Sequence, residues 1–442
     1  MQQKKSINFG FRGWMLILYQ AIAFLTFVAF TNYPLNLLAD MYGGPELIST
    51  LYTTATIGGI VIQLIMANYI GKLKSIKKMS ILLGVISLVL AAGVMLIPPF
   101  MPVLWQIVYF LEVLFVVLWC TFSIGILVGQ WFPRRKGTIM GIATLSFPIA
   151  NALLGVFAAN VFKTGAPDVV GAFLPFMILA IVGLLIGLVF IKDYPEQVGA
   201  YRDNDKSITP EIGKAMMEQE IINKKTSVWT VSKTLRSPEY WFIALPIGLL
   251  LMTSVGIMTQ TVTIIGTFAD QLAPIGGFQG VMIFIAILTC FCSWLIGVLD
   301  TKFGTRKVIV VAVIAMILSG FIGSVYNVGC LLVALACLCV FLGAASNFPV
   351  SASAQYWRRE DFPNVFTILN PIVNIIQAIG PMIVAMLLFS KGYTFAFTAI
   401  GILGVISLIL ILLFKPIALK ARDDKYREAA GKALDDELAS RK

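Results

Sequence analysis

Thr144-Leu-Ser-Phe-Pro148-Ile149-Ala-Asn151 decides the fold, because the chain repeats it. At Thr367-Ile-Leu-Asn370-Pro371-Ile372-Val-Asn374 the pattern T-x-x-x-P-I-x-N returns half a chain later, again inside an apolar run. The approaches match as well. Gln130-Trp131 with Arg134-Arg135 precedes the first copy, and Gln355-Tyr356 with Arg358-Arg359 precedes the second. An apolar span, an arginine pair and a second apolar span thus recur in one order, which reads as an ancient duplication. A duplicated membrane chain is the usual plan of a secondary transporter.

Composition agrees. The chain has 442 residues, is 59% hydrophobic and 12% charged, and carries many apolar runs near the ~20 residues that cross a bilayer. Twelve spans are expected, near 14–38, 47–69, 79–97, 103–131, 138–160, 171–191, 240–266, 278–297, 308–325, 329–356, 365–389 and 393–414. They must be helices, since no water inside the bilayer satisfies an open backbone and no alternating barrel pattern is present. The fold class is therefore all-α membrane protein, twelve transmembrane helices in two six-helix pseudo-symmetric halves. The expected divisions are 1–191 for the first half, 192–239 for a cytoplasmic linker, 240–414 for the second half and 415–442 for a cytoplasmic tail. That tail reads as a surface helix that frays and mainly solubilises. A short helix is expected within the linker at 210–223, with Thr209 as its N-cap.

The net charge of +11 comes from basic clusters between spans. With the N-terminus in the cytoplasm, only Lys163 and Lys391 fall outside, so both termini face the cytoplasm and topology, not nucleic acid, explains the charge. Lys4, Lys5 and Arg12 lead straight into a full-length span with no small-residue cleavage pattern, so no signal peptide is read. The chain has six cysteines and no histidine, without metal-ligand spacing. Cys120, Cys290, Cys292, Cys330, Cys337 and Cys339 read as small packing residues, and neither metal nor cofactor is expected.

The loop Gly297-Val-Leu-Asp300-Thr-Lys302-Phe-Gly304-Thr-Arg306-Lys307 resembles the G-x-x-x-D-x-x-G-R-[RK] signature of the major facilitator superfamily, with Asp300 one position ahead of the signature's acid and Thr305 shifting the final basic pair. The matching first-half loop keeps its lysines but has Gly71 where Asp300 stands. The resemblance implies a cytoplasmic gate at which Asp300 accepts from a neighbouring helix N-terminus or pairs with an arginine, with Arg306 beside it; the first half lacks the acid, and Arg134 and Arg135, between spans four and five, are further gate candidates. Trp131-Phe132-Pro133-Arg134-Arg135-Lys136-Gly137 further resembles the W-F-P-x-[KR]-[KR]-G of the oxalate:formate antiporter and monocarboxylate porter branches. Pro195-Glu196-Gln197-Val198-Gly199 and the stretch from Trp229 to Trp241 resemble that branch's linker and its approach to span seven. Anion carriers of that branch are expected to hold a substrate carboxylate with an Arg or Lys inside a span. None is found here at depth, which argues against oxalate and other dianions and leaves open a monocarboxylate entering with a proton, a neutral solute, or a cation attracted to Glu112 and its aromatic neighbours.

One charged side chain is read as lying well inside a span, Glu112 in span four. Ionised and alone, it costs at least about 2.5 kcal/mol there, so it is expected to carry a proton for much of its cycle. At helical spacing it shares a stripe with Trp105, Tyr109, Trp119 and Ser123, read as the wall of a wet cavity. Span eleven adds Thr367, Asn370, Asn374 and Gln377 on one face, opposite Thr144, Pro148 and Asn151 of span five. These carboxamides are either interhelical hydrogen-bond partners or cavity donors. Tyr19, Gln20, Thr253, Ser254 and Gln260 are further candidates from spans one and seven.

The expectation is a secondary transporter of the cytoplasmic membrane, monomeric and surrounded by lipid. It would move a small organic solute, most simply a monocarboxylate, by alternating access with Glu112 binding the coupling proton. The alternative is proton-driven efflux of a cationic or amphipathic compound. An enzyme is not expected, since no histidine, acid pair or phosphate loop is present. A receptor or assembly factor would need a soluble domain that the chain lacks.

Overall fold

A computed structural model of the chain describes residues 9–67, 75–132, 139, 142, 146–153, 168–209, 211–215, 218, 227–343, 345–358 and 361–440. Every regular element among them is helical. Eleven described helices are long and apolar enough to span a bilayer: Gly10–Leu35, Pro45–Met66, Ile76–Leu96, Pro102–Trp131, Val169–Phe190, Pro238–Thr259, Gly277–Asp300, Thr305–Gly323, Val328–Tyr356, Asn364–Lys391 and Tyr393–Leu413. These are spans one to four and six to twelve. Span five lies mostly outside the described residues, where Ser146–Leu153 is its helical piece. The sequence thus forms the twelve-helix fold read from its duplication.

By internal contacts the chain forms two compact units. Unit 1 comprises Met1–Gly213, Val255–Phe291 and Ala378–Ala396; unit 2 comprises Lys214–Ser254, Cys292–Gln377 and Phe397–Lys442. Parts of spans seven, eight, eleven and twelve therefore belong with the first half. Two buried bonds show how. Gln260 Nε2 donates to Ser49 Oγ at 3.2 Å, and Thr53 Oγ1 donates to the Ala378 carbonyl at 2.7 Å.

Among the described residues, two spans of unit 1 carry π-helical segments. In span one the segment is Val28–Asn32, followed by Tyr33–Leu37. Pro34 explains it: with no N–H and with a ring crowding the Phe30 carbonyl, it prevents regular winding there. Tyr109 donates its hydroxyl to the Thr31 carbonyl at 2.7 Å, which satisfies part of the disturbed backbone. In span four the segment is Leu118–Ser123. Span ten is also interrupted, at Gly343 and the 3-10 turn Ala345–Asn347, just before Pro349. Leu118 precedes Gln130 by as many residues as Gly343 precedes Gln355, so the repeat extends to the position of the backbone fault.

Close approach is set by glycine. In unit 2 spans nine and twelve cross at Gly320 and Gly401, where a Cβ on Gly320 would stand 2.1 Å from the Gly401 nitrogen. Backbone cannot retreat as a side chain can, and small residues at helix crossings are how membrane helices pack closely. Gly320→Val is expected to lower stability by about 3 kcal/mol or to prevent folding, read as the melting temperature of the detergent-purified protein. An unchanged melt would mean that close approach at this crossing does not contribute to stability.

The linker and tail depart from expectation. Thr209 does cap the residues after it, accepting from the Ile212 nitrogen at 3.4 Å. The first part of the linker, however, is folded onto unit 1 through the 3-10 turns Pro195–Val198 and Arg202–Asn204. Arg202, 4% exposed, binds Glu196 Oε1 at 2.7 Å and the Gly213 carbonyl at 2.9 Å. The tail is a helix, Pro416–Ser440, but its first turns are docked, not frayed, with Leu419 and Asp423 buried in unit 2. Charge alone suggested a solvated end; specific acid–arginine pairing overrides it.

Candidate functional site: a buried acid and a polar helix face

Glu112 sits in the α-helical part of span four, Pro102–Val117, with no exposed surface. Ser87 of span three, equally buried, donates its hydroxyl to Glu112 Oε1 at 2.8 Å. Glu112 Oε2 has no hydrogen-bond partner among the described residues. Ser80 and Ser87 lie two turns apart on one face of span three. At Ser80 the second polar rung is built: Trp119 Nε1 donates to the Tyr19 hydroxyl at 2.8 Å, which lies 2.9 Å from Ser80 Oγ. Gly84, between the two serines, leaves room for the Trp119 indole, since a Cβ there would lie 2.9 Å from Nε1.

On its other side Glu112 is followed by a stack of three rings. Tyr42 and Trp105 are 4.1 Å apart and 6° from parallel; Trp105 and Tyr109 are 5.0 Å apart and 9° from parallel. All their polar atoms serve backbone carbonyls: Tyr42 to Ile97 at 2.6 Å, Trp105 to Val94 at 3.0 Å, and Tyr109 to Thr31. Trp105, Tyr109, Trp119 and Ser123 do not line the wet cavity that their spacing suggests: all four are fully buried inside unit 1. The stripe was right as a helical face. Span three covers that face, supplying Ser87 and the Val94 carbonyl, so it became a core.

Gln20 is likewise buried in unit 1. Thr253 and Ser254 bond back to carbonyls of their own helix, at Leu249 and Leu251, and Gln260 is the partner of Ser49. Asn151 belongs to a described helix, but its side chain, like all of Thr144, Arg134, Arg135 and Gly71, lies outside the described residues.

Span eleven begins with Phe362–Ala378, which is sharply two-sided. Val365, Leu369 and Val373 are buried in unit 2, whereas Thr367 is exposed and Asn370, Asn374 and Gln377 are half-buried. Four polar side chains thus line a face that its own unit leaves open, in the middle of a membrane-length helix. Pro371 lies on the same helix.

Asp300 and Arg306 are not paired with each other. The Arg306 guanidinium donates instead to the Leu412 carbonyl at 3.0 Å and the Ile411 carbonyl at 3.4 Å, at the end of span twelve. Asp300 Oδ1 has no partner among the described residues. The start of span nine is capped from span ten, by Gln355 Oε1 on the Thr305 nitrogen and the Tyr356 hydroxyl on the Arg306 nitrogen. In the first half the equivalent helix start takes an acid from the linker just after span six: Asp193 accepts from Ser75 Oγ and from the Lys77 nitrogen, each at 2.7 Å. Sequence reading missed Asp193 because its partner is distant in the chain. Ser87 could have been found from its spacing to Ser80.

Eleven described membrane-length helices and a helical piece of a twelfth, with a buried acid in span four and a polar face on span eleven, fit a membrane transporter. A sequence profile of the Major Facilitator Superfamily matches residues 15–350 and 277–439, and the chain belongs to that family. No curated protein sequence matches it significantly. Among solved structures it is similar to the nucleoside transporter NupG, at 13% identity and a TM-score of 0.61, covering 93% of this chain and 100% of that one. A bacterial homologue of the human lysosomal transporter Spinster, inward-facing and occupied, gives 14% and 0.61, covering 93% and 98%. The proton:xylose symporter XylE gives 12% and 0.63, covering 91% and 96%. At these identities the likeness establishes the fold alone.

Proposed function

We propose that the protein is a proton-linked carrier of a small organic acid across the cytoplasmic membrane, with both termini in the cytoplasm. The observation that carries this reading is the Glu112 carboxyl group: fully buried, one oxygen bonded to Ser87, the other bare. A proton on the bare oxygen neutralises the group where an isolated charge is most costly, so binding and release of that proton are what the site is suited to. The solute would meet the open face of span eleven, where Asn370, Asn374 and Gln377 offer amide N–H donors to a carboxylate without the desolvation cost of a lysine or arginine.

The efflux reading for organic cations loses its main support. A cation would need an open aromatic face near Glu112, and both faces of Trp105 are covered by Tyr42 and Tyr109. A thermal-shift screen of the purified protein tests the assignment, using lactate, formate, oxalate, glycine and tetraethylammonium at several pH values. A monocarboxylate is expected to raise the melting temperature, more strongly at low pH, because ligand that binds only the folded state stabilises it. Stabilisation by tetraethylammonium alone would overturn the reading.

A further inference from the structure

On the face that carries the chain's C-terminus, unit 2 holds a network of acids and arginines that the transport reading does not use. Asp361, at the start of span eleven, is fully buried and accepts from Ser227 Oγ at 2.7 Å and from the Arg427 guanidinium. Asp423, one turn before Arg427 on the C-terminal helix, accepts from Trp229 Nε1 at 2.9 Å and from Arg427 Nε at 3.2 Å, and its Oδ2 lies 2.8 Å from Arg358 Nε. Arg422 grips Glu239, at the start of span seven, through two bonds of 2.8 and 3.1 Å; this hydrogen bonding holds the Arg422 guanidinium above its ordinary pKa. Trp229 is itself fully buried, edge-on to Trp357 and Tyr426, and its carbonyl accepts from Asn364 at 2.9 Å.

A solvated tail does not need this. Buried carboxylates are retained only where cations and donors satisfy them. Here those groups come from four separate stretches of chain: the end of the linker, the start of span seven, the loop into span eleven and the tail. Remove the tail, and Asp361 loses its arginine while Trp229 loses its acceptor.

We propose that the helix Pro416–Ser440 is a strap that fixes the end of the linker to the starts of spans seven and eleven, with Asp361 and Asp423 as its buried anchors. From Ser227 onward the linker then moves with unit 2, and span eleven, which carries the polar face, cannot shift at this end unless the strap shifts with it.

Hydrogen–deuterium exchange of the full-length protein in lipid nanodiscs tests this without a substrate. Residues 416–431 should be protected in the intact chain. Ending the chain after Phe414 keeps every span and should speed exchange at 227–236 and 361–367 by about tenfold or more, with 76–96 unchanged, because local opening reports local contacts. Asp361→Asn in the full-length chain keeps the shape and removes the charge, and should release 416–431. Fast exchange at 416–431 in the intact chain, an unaltered rate at 227–236 and 361–367 after truncation, or full protection of 416–431 in Asp361→Asn would each overturn the strap. Should the truncated chain fail to fold, the Asp361→Asn measurement decides.

Discussion

Replacing Glu112 by glutamine is expected to abolish accumulation of the solute in proteoliposomes given an inward proton gradient, while exchange of solute across an ungraded membrane persists. Glutamine preserves the size of the side chain and leaves Oε1 able to accept from Ser87, whose hydroxyl is 2.8 Å away. It cannot bind or release a proton. A gradient of about one pH unit is worth roughly 1.4 kcal/mol, so one-proton symport concentrates a solute about tenfold, and the variant should hold that ratio at one. The carboxylate giving the largest melting shift is the solute to use. If Glu112→Gln still concentrates it, the buried acid is a packing group and the proton must act elsewhere. If exchange is lost as well, with the protein correctly folded, Glu112 is required for the conformational cycle itself.

The uneven legibility of the chain has a physical basis. Span number and helical character follow from hydropathy and from the bilayer's refusal of open backbone, and the T-x-x-x-P-I-x-N repeat made the duplication readable without coordinates. The depth of Glu112 was readable for the same reason. Its direction was not. A helical stripe states which residues share a face, but not whether a neighbouring helix covers it; span three covers this one, so Trp105 and Tyr109 are core, whereas the span-eleven stripe is left open by its own unit. Periodicity is identical in the two cases. The tail failed differently. Asp361, Asp423 and Arg427 look like ordinary interfacial charges until the fold brings residues 227, 361 and 427 together. The loop signature suggested gate residues by analogy but not their partners, and Arg306 donates to two carbonyls at the end of span twelve.

Trp105→Ala separates the two readings of the aromatic stripe, and its expected effect is large. As a core residue, Trp105 fills the space between Tyr42 and Tyr109 and ties span four to span three through the Val94 carbonyl. Truncation removes both stacking partners at once and leaves a void that two tyrosines, each bonded to a backbone carbonyl, are poorly placed to fill. Buried tryptophan-to-alanine changes cost about 3–5 kcal/mol, enough to shift the melting temperature by many degrees or to prevent purification of a folded protein. Trp105→Phe keeps a ring in the stack and gives up the indole hydrogen bond, so it should lose only about 1–2 kcal/mol, with the affinity for solute unchanged. A residue on a cavity wall would behave in the opposite way: alanine would leave the melt intact and alter solute affinity. Observing that pattern would return Trp105 to the binding site and would mean that span three does not seal this face during the transport cycle.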